Sequence, residues 1–184
     1  AMSELRSLPQ IVGGLTPACS QRASNFWRTL TSSVVHVDDL EAAELVKLAN
    51  NSFRDHVFAF SNALSLLSAQ YNVDAFRLIS AANEGYPRNP IPLPSPGVGG
   101  YCLTKDPFLY ASAGPELDHA KLARSGRAAN QSAALHPVKI FELWASRHNL
   151  SIDKCQVLII GLAFKGLPET NDLRGSAALD VARA

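Results

Sequence analysis

Cysteine is scarce in this sequence, and surplus charge, long apolar runs and metal-ligand spacings are missing. The three cysteines, Cys19, Cys102 and Cys155, are odd in number, widely separated and without a CxxC pair. They suit a reducing compartment better than a disulfide framework, and a cytoplasmic setting is expected. Seventeen basic residues stand against sixteen acidic ones, a net charge of +1. Nucleic acid or an anionic membrane surface normally draws a basic surplus, so neither is expected as a partner. No apolar run approaches the roughly 18–20 residues of a membrane span. The opening AMSELRSLPQ has no basic stretch leading into an apolar one, so no signal peptide is read there. The five histidines fall in no ligand spacing, and no metal site is expected. A dinucleotide fingerprint is missing too. Gly161–Gly166 opens like a Walker A loop, but Leu167-Pro168 stands where Lys-Ser/Thr is required.

What remains is ample for a folded core: 47% of the 184 residues are apolar. Gln10–Gly14 and Ser33–Val37 read as strands around a helix capped by Thr16 or Ser20. A lone βαβ unit leaves its sheet without neighbours, so the chain reads as beginning inside a larger α/β domain. From Asp38 or Asp39 to Gly85 neither glycine nor proline occurs, and a helix is predicted over about 39–70. Val46, Phe53, Val57, Phe60, Leu64 and Leu67 form one apolar stripe along it. At 1.5 Å per residue that helix is roughly 45 Å long. A stripe of this length in a small domain points to packing against a second copy. A shorter helix is predicted over Ala75–Asn83. Residues 85–101 hold five of the eleven prolines and must be a stiff loop. Helix returns over about 116–148, with Pro137 as a break. Gln156–Gly161 reads as a buried strand, and Ser176–Ala184 as a helix. The fold class expected is mainly α, a central helical dimerisation domain with incomplete Rossmann-like pieces at both ends. Its boundaries are set at 1–37, 38–130 and 131–184.

Two constellations could carry chemistry. In Pro96–Pro107 glycines precede a thiol, Cys102, with Lys105 and Asp106 one turn on. If 102–106 is helical, Cys102 and Asp106 share a face. A thiolate there would be favoured by the helix dipole, as a nucleophile requires. A lone cysteine is more often a small core residue; Cys19 and Cys155, which lack such surroundings, are read as structural. On the long helix, Lys47 and Asn51 stand at i, i+4, beside Glu44 and Arg54 or Asp55. A cation and an amide so placed could stabilise an oxyanion. From spacing alone, a solvated helix face with an ordinary i, i+4 polar pair is the better reading.

The chain resembles the nucleotide-sugar dehydrogenases, the UDP-glucose/GDP-mannose dehydrogenase family. The resemblance rests on Glu41–Asn51 (EAAELVKLANN), Phe60–Asn62, Pro87-Arg88, Gly97–Pro107 (GVGGYCLTKDP) and Val157–Arg174. It implies oxidation of a sugar C6 hydroxymethyl to a carboxylate by two NAD, on a nucleoside-diphosphate sugar. Cys102 would be the nucleophile, passing through a thiohemiacetal and a thioester that water hydrolyses. Lys47 and Asn51 would stabilise the oxyanion, and Asp106 with Lys47 would activate water. Arg88, Ile91, Pro92, Leu93, Pro94, Ser95, Gly99 and Lys165 would contact the substrate, Arg88 across a homodimer. Lys105 and Arg174 would contact the cofactor. The resemblance lacks the family's glycine fingerprint, so this chain alone is expected to be inactive. A non-catalytic dimerisation module with relic site residues is the alternative.

Overall fold

A computed structural model of the chain describes residues 2–166 and 169–184, with side chains from residue 5 onward. Leu167 and Pro168, which break the Walker A pattern, lie outside the described residues. The architecture is mainly helical, with one two-stranded sheet among the described residues. The packing divides into two units, 1–50 and 51–184, and the boundary falls inside the longest helix.

The first unit begins with α1 (Met2–Ser7) and β1 (Gln10–Val12), followed by α2 (Pro17–Trp27) and β2 (Val34–His36). Thr16 caps α2, its side chain accepting from the Cys19 N–H at 3.2 Å, and Pro17 stands in the first turn, where a missing N–H costs nothing. The strands are parallel, with Ile11 opposite Val35, as a βαβ connection requires. Inside the crossover, buried Ser24 pairs through Oγ with His36 Nε2 at 3.0 Å. Gly13 is required by close approach: a Cβ there would lie 1.8 Å from the Asp39 carbonyl oxygen. Asp39 then opens the long helix, its Oδ1 accepting from Ala42 N–H at 2.7 Å.

That helix, α3 (Leu40–Gln70), runs into the second unit. Of the expected apolar stripe, Phe53, Phe60 and Leu67 are 72%, 59% and 51% exposed, whereas Val46, Val57 and Leu64 are half-buried. The face packed within the chain is instead small and polar, with Ser52, Asp55, Ala59, Asn62, Ser65 and Ser68 buried. The solvated face considered for Asp55 is therefore corrected; Asp55 points into the second unit's interior. Arg147 ends α3, donating to the Ala69 and Gln70 carbonyls at 2.9 and 3.2 Å. Then follow α4 (Ala75–Asn83), α5 (Tyr101–Ser112), α6 (Asp118–Ser132), α7 (His136–Arg147) and α8 (Ala177–Arg183). Asp74 caps α4 through the Phe76 and Arg77 N–H groups. Ile79 of α4 is fully buried, worth about 1.5–3 kcal/mol of transfer free energy. Alanines 111, 120 and 123 let α5 and α6 pack closely. The 116–148 segment is helical with a break near Pro137, as read from the sequence: a 3₁₀ turn over 133–135 separates α6 from α7, and Pro137 lies in the first turn of α7.

The strand expected over 156–161 does not form. Val157, Leu158 and Ile160 are 68%, 82% and 87% exposed, and the segment is irregular. A strand exists only through its ladder, and no described residue offers one here.

Candidate functional site

The proline-rich segment is held in place side chain by side chain. Asn83 of α4 clasps Ile91 at both main-chain groups, donating to its carbonyl and accepting from its N–H, each at 2.8 Å. Ser61 donates to the Pro92 carbonyl at 2.5 Å. Asn62 Oδ1 accepts the Ser95 N–H at 2.8 Å. Prolines cannot donate, and four of the segment's main-chain groups, Ile91 N–H and C=O, Pro92 C=O and Ser95 N–H, are met by side chains of α3 or α4. Ile91–Ser95 thus lies along the polar face of α3 as a fixed extended strap.

The chain then turns into α5 through glycines. Gly100, the residue before the helix, has φ 89, a left-handed conformation that a Cβ disfavours. Gly99 meets the Gly175 carbonyl so closely that a Cβ would lie 2.1 Å from its oxygen. Phe164 covers the same turn, its ring 3.5 Å from where a Gly100 Cβ would stand. Cys102 is the second residue of α5 and its thiol is exposed. One turn on, the Asp106 side chain is fully buried. Asn51 Nδ2 donates to Asp106 Oδ2 at 2.6 Å, and Lys105 Nζ pairs with Asp106 Oδ1. That pairing pushes the Lys105 ammonium above its usual pKa. The amide of Asn51 keeps a second N–H.

Lys105 and Arg174 come together. With Gly100, Tyr101, Thr104 and Gly175 they line a cleft of about 180 Å³. Arg174 is gripped by Asp172, at 2.9 Å from Nε and 2.7 Å from Nη2, which lowers the Asp172 pKa to about 2. Lys165 is exposed and lies 5.5 Å over the Phe164 ring. Arg88 is exposed in the loop before the strap. Lys47, on α3 one turn before Asn51, belongs to the first unit and is exposed. The second unit therefore assembles Asn51, Cys102, Lys105, Asp106, the strap, Gly99 and Arg174.

Sequence reasoning assigned no role to the buried residues behind this surface: Asp55, Asn62, Arg127 and Asn130. Arg127 Nη1 donates to Asp55 Oδ1 at 2.8 Å, both side chains being 3% exposed or less. Burial pushes the Asp55 carboxyl up in pKa, against the pull of Arg127 and Asn130. Burial also lowers Arg127. A signal was present: Asn51, Asp55 and Asn62 recur at spacings of four and seven, one helical face.

Comparison with known proteins supports one family. The central-domain model of the UDP-glucose/GDP-mannose dehydrogenase family matches residues 41–132. The UDP-N-acetyl-D-mannosamine dehydrogenase of Yersinia pestis is 37% identical over 186 residues, covering 99% of this chain and 43% of that protein. The NDP-N-acetyl-D-galactosaminuronic acid dehydrogenase of Ralstonia solanacearum is 36% identical, covering 99% and 41%. The chain thus spans about two-fifths of the length of these relatives. Among solved structures, UDP-D-ManNAc dehydrogenase from Pyrococcus horikoshii superposes with a TM-score of 0.84 at 30% identity, over 98% of this chain and 42% of that one.

Proposed function

Because the chain belongs to the UDP-glucose/GDP-mannose dehydrogenase family, we propose that it is the catalytic centre of a longer nucleotide-sugar dehydrogenase. Residues 1–37 would then be the tail of an NAD-binding domain, 38–130 the central domain, and 131–184 the connection to a nucleotide-sugar-binding domain. The substrate proposed is a nucleoside-diphosphate N-acetylhexosamine whose C6 hydroxymethyl becomes a carboxylate. Relatives named for N-acetylated sugars favour this class over UDP-glucose or GDP-mannose.

The observation that carries the reading is the exposed Cys102 one turn before Asp106 on α5, where Asn51, 55 positions earlier on α3, reaches the Asp106 carboxylate. Asp106, held also by Lys105, fixes the Asn51 amide so that its remaining N–H faces one direction. An oriented donor is what an oxyanion at C6 needs, and such a donor typically contributes about 3 kcal/mol to the barrier. The Cys102 sulfur would add to the C6 aldehyde to give a thiohemiacetal; loss of the C6 hydride and of the hydroxyl proton would leave a thioester, which water would cleave to the carboxylate, regenerating the thiol. Lys47 adds a cation on the same helix, one turn before Asn51. The strap 91–95 and Gly99 would receive the sugar, with Arg88 and Lys165 on its diphosphate. Lys105 and Arg174 place two cations on one cleft beside a glycine backbone, a donor set that fits the diphosphate of a dinucleotide. NAD bound there supplies the two-electron acceptor for each oxidation. The outward stripe of Phe53, Phe60 and Leu67 supports a homodimer formed through α3.

The test is NADH formation by the longer protein with UDP-N-acetylmannosamine, UDP-N-acetylgalactosamine, UDP-glucose and GDP-mannose. Turnover with an N-acetylated sugar is expected. Turnover with none of the four would overturn the reading.

A further inference from the structure

Pro107 lies inside α5, on the turn after Cys102. In a regular helix the Leu103 carbonyl would accept from the N–H of residue 107, and proline has none. The missing donor comes from another helix. Arg127 Nη1 of α6 donates to the Leu103 oxygen at 2.7 Å, while also holding Asp55.

The same guanidinium begins a continuous buried network. Asp55 Oδ1 and its main-chain oxygen each accept from Asn130 Nδ2 at 2.8 Å. Asn130 Oδ1 accepts from Asn62 Nδ2 at 3.0 Å, and Asn62 Oδ1 accepts the Ser95 N–H of the strap. The amide orientations are forced. The Ser95 N–H can only donate, so it must meet the oxygen of Asn62; this turns the Asn62 nitrogen to Asn130 oxygen, and the Asn130 nitrogen to Asp55. Reversing either amide would face donor with donor or acceptor with acceptor at every link.

We propose that Arg127 is a positioning residue. It stands in for the N–H that Pro107 removes, sets the first turn of α5 and so the place of the Cys102 sulfur, and couples that turn through Asp55, Asn130 and Asn62 to the strap. The coupling rests on reading Cys102 as the nucleophile and 91–95 as the sugar-binding strap. A pair that merely joined α3 to α6 would need no donation to the Leu103 carbonyl and no link to Ser95.

The test uses this chain with Cys19→Ser and Cys155→Ser, leaving Cys102 as the one thiol. Alkylation by iodoacetamide reads the sulfur, and hydrogen exchange at the Ser95 amide reads the strap. Arg127→Met alone leaves Asp55 buried without its partner and risks the fold. It is therefore compared in the pair Asp55→Asn/Arg127→Met, which removes both charges together. With cooperative melting retained, the pair is expected to change the Cys102 alkylation rate and to speed Ser95 exchange, each by about threefold or more, the scale of coupling within connected networks. Arg127→Lys, which keeps charge and donors, should lie closer to the parent. Pro107→Ala restores the helical donor, so added to the pair it should return Cys102 alkylation towards the parent rate. Unchanged alkylation in a pair variant that still melts cooperatively, or no response to Pro107→Ala, would overturn the proposal. Neither readout uses NAD or a nucleotide sugar, so absence of turnover in the longer protein would count against the dehydrogenase reading alone.

Discussion

Asn51 Nδ2 and Asp106 Oδ2 meet at 2.6 Å, and this bond joins the long helix α3 to the helix that carries Cys102. Asn51→Ala removes this donor from the buried Asp106 carboxylate. Loss of about 1–3 kcal/mol of unfolding free energy is expected, measured by urea denaturation. Asn51→Asp should cost more, because it sets two carboxylates face to face. A stability unchanged in both variants would show that the bond is incidental.

Gly99 has no room for a methyl group against the Gly175 carbonyl. Gly99→Ala should therefore push the 162–176 segment off the glycine turn. That segment is otherwise held by Ser176 Oγ donating to Leu162 O at 2.6 Å and by Phe164 N–H on Asp172 O at 3.1 Å. Faster proteolysis between residues 162 and 176, with the melting of the helices little changed, is the expected outcome.

His136 donates from Nδ1 to the Asn62 carbonyl at 3.0 Å, and burial holds its pKa below the ordinary 6.5. Because the folded value is depressed, its contribution is complete above pH 6.5 and is lost as pH falls through the folded value. Unfolding free energy should therefore decline below about pH 6.5, before the carboxylates titrate. His136→Gln should flatten that part of the profile. A decline of equal slope in the variant would assign it to another group.

The exposed stripe on α3 makes a different prediction. Phe53→Asp and Phe60→Asp sit on the outward face, so neither should unfold the chain. Each should dissociate the proposed homodimer by placing an unpaired charge in its interface. Sedimentation of the parent at a mass near 19.8 kDa at micromolar concentration would contradict the dimer.

Much of the fold was legible in the sequence because its signals are local. Glycine-free apolar periodicity marks α3, Asp39 and Asp74 cap the helices that follow them, and Gly13 and Gly14 end a β-branched strand. The 156–161 run shows the limit of such reasoning. Its composition suits a buried strand, but a strand is made by its neighbours, and this one has none among the described residues. In the candidate site, Cys102 and Asp106 were legible from helical spacing, whereas Arg127 and Asn130 were not. Their partners lie 72 to 75 positions away in sequence, a separation over which no periodicity speaks. The hint was indirect: a proline within a helix leaves a carbonyl that some other group must satisfy.

The most direct measurement compares Cys102→Ser with Cys155→Ser in the longer protein, following acid formed from the nucleotide sugar. Cys155→Ser should retain the parent rate, because no part of the reaction is assigned to that thiol, which donates to the Ser151 carbonyl at 3.5 Å. Cys102→Ser should nearly abolish acid formation while aldehyde or its hydrate still forms slowly, since a serine hydroxyl is a far weaker nucleophile at neutral pH. Equal rates of acid formation in the two variants would contradict the assignment of Cys102 as the nucleophile.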